Sequence, residues 1–568
     1  MLDEKLSSFS NPFYLCPGNF DYIEKYNNKV LSLRKRKITK LISGYRKKKN
    51  NSTITNQNNK VSTAKIEYEL SQDQFCLENY TEIKSISSSI EDLEKSLKSS
   101  NINDVKWALY SIRKFYQKND IDDINQISPL FTNNFLDLFC KTIITLNDPI
   151  IHNEILWILI NIFACSSSDK IDIKYYYELL SEKYIKIYNN FLSSENNEIT
   201  SSTLWLLSNI IYGKKELCMY ILEENTLYKN ILSLIKENKE IKVEILVQCA
   251  KFISVCMNIQ TSNFSRVKYL IENINLSIEK LILMFVSNNS NEIRSFVLTG
   301  LIYILKIEDE NEISLNDDFA RKIITFDFNI VYYILNLEKA SNFFYCENLQ
   351  RNNEDDDTSW FFYISLVVQF FTIIIDNFTV FQVDQILHEG LIDFFIKLYD
   401  NQCIFQYDVK VNRKNAIFNK ITECLVNICQ IKEEFAFFIF KSKITNYINQ
   451  ELKSNPSNTN LEKMLYLILY STNYFSYELS DILYSKGIIK NILEIIKNFQ
   501  KYTISILNIG LKIIHYYLDS YKKMMIKSKE FYTVKEIFME ILEKIYYSSY
   551  FASEDNKKQI NYLKNYDY

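Results

Sequence analysis

Two short patterns in the 568-residue sequence carry side chains suited to recognition chemistry. Trp157 and Asn161 are spaced i, i+4, and so are Trp205 and Asn209, so on a helix each pair shares one face. The chain has only four tryptophans, and two of them fall in this repeated setting. An indole face takes the aliphatic stem and charged head of a lysine or arginine, each contact contributing about 0.5–2 kcal/mol. The asparagine amide supplies one acceptor and two donors, enough to clamp the backbone of an extended peptide. Glu154, three residues before Trp157, lies on a nearby part of that face and offers its carboxylate to a cation. One such pair alone reads as core packing beside a surface asparagine. Two pairs in register point to a peptide-binding ladder.

A second pattern lies near the N-terminus. Between Leu33 and Lys49 nine of seventeen residues are basic: Arg34, Lys35, Arg36, Lys37, Lys40, Arg46, Lys47, Lys48 and Lys49. Leu33, Lys37, Leu41 and Tyr45 recur at i+4 steps, which predicts a basic amphipathic helix, and the cluster Arg46–Lys49 after Gly44 predicts an extended run. The formal net charge of the chain falls from -3 to -12 once those nine charges are set aside, so the rest is acidic on balance. A basic helix of this kind can serve RNA, a membrane surface, an acidic partner or a nuclear localisation signal. Beside a groove that reads lysines, the cluster could also occupy the chain's own groove.

The elements that must position these groups follow from composition and repetition. Seven Gly and five Pro are too few for the turns of a sheet-rich protein, while 47% apolar residues supply a large core. Residues 70–545 read as helix-length apolar runs separated by short polar clusters. Within them Glu154–Ile162 is echoed by Ser202–Ile210, offset by 48 residues, and a texture without Trp or Asn continues 45 residues later at Ala250–Val255. Leu425, Val426, Asn427 and Ile428 form a weaker late echo. At roughly 40–47 residues per repeat, this region holds about ten. The predicted fold class is all-α, an armadillo-repeat right-handed superhelical solenoid with a flexible basic N-terminal segment. Units that cannot bury their own apolar faces stack on their neighbours and leave a long concave groove. The expected domains are a basic segment and linker over 1–64, the solenoid over 65–552, and a frayed polar tail over 553–568.

Other chemistry is thinly represented. No two glycines lie within ten residues of each other, which excludes Gly-rich phosphate loops. The three histidines, His152, His388 and His515, are far apart, and the eleven cysteines include no C-x-x-C pair. These counts predict buried reduced thiols, no metal site, no cofactor, no catalytic residues and no enzymatic activity. The N-terminus lacks a secretory h-region. The apolar run 360–375 is short for a spanning helix and contains Ser365, Gln369 and Thr372, which predicts a buried helix and no membrane insertion. The acidic balance of the solenoid predicts no nucleic-acid partner.

Taken together, Leu33, Arg34, Lys35, Lys37 and Leu41, the cluster Arg46–Lys49, the run Ser111-Ile112-Arg113-Lys114-Phe115, the E-x-x-W-x-x-x-N of Glu154, Trp157 and Asn161, and the W-x-x-x-N of Trp205 and Asn209 resemble importin α, the nuclear import adaptor family. The resemblance implies that Trp157, Asn161, Trp205 and Asn209 form the major cargo site. It also implies that the N-terminal segment binds importin β and competes with cargo as an autoinhibitor. Partners would be importin β, cargo with basic nuclear localisation signals and an export receptor, and the protein would shuttle between cytoplasm and nucleus. The sequence departs from the family pattern in places. Gly213 and Lys214 follow where an acidic residue is expected, Ser202 replaces a Gln, and Ala250 and Ser254 stand for the next Trp and Asn. These departures imply a divergent member with a shortened or altered cargo site, taking a monopartite or non-standard basic signal. The other reading is an armadillo scaffold, cytoskeletal or signalling, that binds no such signal.

Overall fold

A computed structural model of the chain describes residues 90–118, 134–163, 171–306, 330–337, 354–400 and 411–568, with short breaks at 215, 224, 236–240, 259–263, 288–289, 455–456, 473–475, 525–527, 549–553 and 567. The basic segment and linker, including Arg34 to Lys49, lie outside the described residues. Twenty-five α-helices and one 3-10 turn make up the described elements. Contacts divide the chain into a first unit ending at Tyr184 and a second running from Ile185 to Tyr568, so the division falls inside the region expected to be one solenoid.

In the first unit, α1 (Ile102–Lys118) packs against α2 (Pro149–Phe163). Ile151, Ile155, Leu156, Ile158, Leu159 and Ile162 of α2 are buried, an apolar surface too wide for one neighbour and suited to a middle layer. His152 Nε2 lies 3.0 Å from the Leu146 carbonyl oxygen, tying the first turn of α2 to the preceding loop.

In the second unit seven helices form a continuous inner row: α3 (Asn197–Gly213), α4 (Val243–Cys256), α5 (Asn291–Leu305), α6 (Glu354–Asp376), α7 (Val411–Ile431), α8 (Asn458–Thr472) and α9 (Ile504–Lys523). Each packs on the next. The repeat is clearest near the end, where three-helix units begin at 433, 444 and 458 and again at 477, 488 and 504. The first two helices of each unit stack on their counterparts in the neighbouring repeat. The described residues are thus all-α, and the second unit is an armadillo-type repeat solenoid.

Local signals start these helices where the sequence offers a cap. Asn196 accepts from the Glu198 and Ile199 amides, Ser290 from Ile293, and Thr503 from Ile506. The sparse glycines are well placed. Gly390 (φ 109°) and Gly487 (φ 81°) sit in the left-handed region between the first and second helices of their repeats, a turn that L side chains resist.

The apolar run 360–375 falls within α6, with Val367, Val368, Phe370, Phe371, Ile374 and Ile375 buried, and no described helix is long and apolar enough to cross a membrane. Six described cysteines are free and buried, and burial pushes the Cys249 and Cys429 thiols up to about 12. The C-terminus corrects an expectation. Residues expected to fray form α11 (Glu554–Asn565), which packs on α10 (Lys529–Tyr546). Tyr566 Oη donates to Asp519 of α9 at 2.7 Å, the Tyr568 hydroxyl lies 2.9 Å from His515 Nδ1, and the rings of Tyr562, Tyr566 and Tyr568 surround His515. Three aromatic anchors hold a segment whose average composition is polar.

Candidate peptide-binding face

In the first unit, α2 presents Trp157 and Asn161 partly exposed on one face. The Asn161 amide donates back to the Trp157 carbonyl at 2.7 Å, which fixes its orientation and uses one of its two donors. Glu154 differs from the sequence expectation of a carboxylate offered to a ligand. It is buried, 8% exposed, and forms an ion pair at 2.9 Å with Arg113 of α1. A carboxylate this deep needs a cation, and the neighbouring helix supplies it.

In the second unit, Trp205 is partly exposed on α3, whereas Asn209 is buried at 8% exposure. The burial pattern fixes the register of the row. Ile199, Leu204, Leu206, Leu207, Ile210 and Ile211 of α3 correspond to Ile245, Ala250, Phe252, Ile253 and Cys256 of α4 and to its C-cap Met257, each 46 residues on. The same match carries Trp205 to Lys251 and Asn209 to Val255, and this corrects the placement of Ala250 and Ser254. Both are buried, and the Ser254 hydroxyl donates to the Ala250 carbonyl and to the Phe296 carbonyl of α5. They face the next helix because the repeat is one residue longer than the sequence echo suggests. Gly300 lets α5 approach there: a Cβ on it would stand 3.1 Å from the Ser254 Cα.

Carried along the row by the same burial pattern, the Trp position holds Thr299, Gln369, Glu423, Tyr466 and Lys512, and the Asn position holds Tyr303, Ile373, Asn427, Tyr470 and Tyr516. Only Asn427, in the weak late echo, keeps the amide. Lys251 lies over Trp205, its Nζ 5.9 Å from the ring centroid. Lys214, half-buried, caps the C-terminal end of α3. Further along, the rungs are linked to each other. Lys420 donates to the Gln369 amide oxygen at 3.2 Å and the Ser365 carbonyl at 3.4 Å, and burial pushes its ammonium down to about 8. Lys463 pairs with Glu423. The Asn427 amide donates to Asp376 at 2.6 Å, while burial raises that carboxyl to about 6. Sequence reasoning singled out Lys214 but missed Lys251, Lys420 and Lys463, because each is a single residue in a Lys-rich chain. Counting from buried positions would have found Lys251.

Among the described residues no cluster of His, Cys, Asp or Glu is arranged to hold a metal ion.

No protein-family model matches the chain, and no curated protein matches it. Solved structures do. The crystal structure of an engineered protein from a structural-genomics consortium is similar over 84% of this chain and 98% of its own, with a TM-score of 0.56 and 12% identity. A designed armadillo repeat protein in complex with the peptide (KR)4 aligns over 48% of this chain and 98% of its own, with a TM-score of 0.33 and 16% identity. The first likeness is one of fold.

Proposed function

We propose that this chain is a nuclear import adaptor of the importin α kind. Basic nuclear localisation signals are taken by Trp157 and Asn161 on the first unit and by Trp205 and Asn209 on the second. The basic segment carrying Arg34, Lys35, Arg36, Lys37, Lys40, Arg46, Lys47, Lys48 and Lys49 recruits importin β and occupies the groove in its absence. The observation that carries this reading is that both Trp–Asn pairs fall at the same position of the repeat, with both indoles partly exposed. Importin β would draw the tethered segment away, so that cargo binds without displacing a competitor held at high effective concentration. The protein would then move between cytoplasm and nucleus and return with an export receptor.

The test is fluorescence anisotropy of a labelled Lys/Arg-rich signal peptide with three full-length proteins. These are the native chain, a variant with Arg46, Lys47, Lys48 and Lys49 changed to Ala, and Trp157→Ala/Trp205→Ala. The reading expects the cluster variant to bind more tightly than the native chain and the tryptophan variant to lose binding. A second reading, a scaffold that recognises no basic signal, is favoured by the row beyond Trp205, where Lys251, Thr299, Gln369, Glu423, Tyr466 and Lys512 replace tryptophan. Absence of binding by all three proteins would select it.

A further inference from the structure

The inner face around Trp205 carries a feature that the peptide-binding reading does not require. Lys251 belongs to α4, the next rung, and stands at the position where the repeat would place another tryptophan. Its ammonium reaches back to Trp205, 5.9 Å from the ring centroid, within the range of a cation–π contact. That ring is the surface on which a lysine or arginine of a bound peptide would lie. Glu198 and Glu244 are the only carboxylates of α3 and α4, and both sit in the first turn of their helices. Lys214 is half-buried at the far end of α3.

We propose that Lys251 is the chain's own occupant of the Trp205 slot, a tethered competitor that a basic peptide must displace at that rung. The inference rests on the adaptor reading for its functional meaning, and it names what regulates that site. A lysine held on the adjacent helix reaches the ring at little cost in translational freedom, whereas a peptide side chain must give up more. Lys251 therefore weakens every basic ligand at this rung. It weakens least those whose residue at the slot is uncharged or carries a carboxylate to meet the displaced ammonium. Selectivity at Trp205 would be set from the neighbouring repeat.

Two measurements on the full-length chain test this. In the first, an alternating Lys-Arg octapeptide is titrated into the native protein, Lys251→Gln, Trp205→Ala, and the double variant. Lys251→Gln is expected to tighten binding by about three- to tenfold, as removal of one partly exposed cation–π competitor implies. In the Trp205→Ala background the same change should have no effect. In the second, lysines are reductively methylated with 13C, and the Lys251 resonance is assigned by its loss in Lys251→Gln. It should be shifted upfield by the indole ring current and return to the ordinary position in Trp205→Ala. Native binding that Lys251→Gln leaves unchanged overturns the inference and spares the adaptor reading. An unshifted Lys251 resonance overturns it as well. If the resonance is shifted but no protein binds the peptide, the adaptor reading fails, and Lys251 is reduced to a packing contact.

Discussion

Lys420 on α7 gives the sharpest quantitative expectation. Its ammonium is drawn out of water between α6 and α7, and burial lowers it from 10.5 to about 8. At neutral pH, keeping that charge in the folded protein costs about 3 kcal/mol relative to the unfolded chain. Lys420→Met removes the charge and keeps the apolar stem in place. The change also leaves the Gln369 amide oxygen without the donor at 3.2 Å, a loss of about 1 kcal/mol. The net expectation is a variant more stable than the native chain at pH 7 by about 1–2 kcal/mol. The pH dependence has a definite sign. Between pH 8 and 10.5 the folded native chain has shed the proton while the unfolded chain still holds it, so native stability rises with pH across that window. Below pH 8 the full penalty is present. The advantage of Lys420→Met should therefore shrink between pH 8 and 10, by at most about 1.4 kcal/mol per pH unit. Urea midpoints of the two proteins, followed by far-UV circular dichroism at pH 7.0 and 9.5, measure the difference, and tyrosine and cysteine titrations common to both cancel. A variant less stable than the native chain at pH 7, or a difference that stays constant over this range, would refute the reasoning.

Two further expectations concern other parts of the molecule. Arg113→Met should destabilise the first unit by about 3 kcal/mol, because it leaves the buried Glu154 carboxylate without its ion-pair partner, and adding Glu154→Gln should restore most of the loss; hydrogen exchange in α1 and α2 reports both. Docking of α11 should weaken with acid. Burial lowers the pKa of His515, so the docked state loses stability as pH falls below about 6.5, the unfolded value. Burial alone would raise Asp519, but hydrogen bonds from Tyr566 and Lys523 hold it below the usual carboxylate range, which adds a further loss below about pH 4. Exchange protection of Glu554–Asn565, corrected for intrinsic rates, should fall between pH 7.5 and 5.5 in the native chain, and that step should vanish in His515→Phe.

The all-helical repeat was legible in the sequence, because apolar periodicity and scarce turn residues are local properties that survive without knowledge of neighbours. The sequence also located both Trp–Asn pairs at one position of the repeat, and the buried helix within α6, where an apolar run too short to span a membrane has no stable place except a core. Tertiary structure decided which side chains meet across rungs. An extra residue turns a helix face by about 100°, so the difference between a 45- and a 46-residue step exchanges buried Ala250 for Lys251 over Trp205. The partner of Glu154 lies 41 positions earlier, on another helix, and no local pattern announces Arg113 as its counter-ion. The C-terminal helix was hidden for a related reason. Its composition is polar, and only the arrival of Tyr566 and Tyr568 at His515 and Asp519, far back in the chain, supplies the burial that orders it.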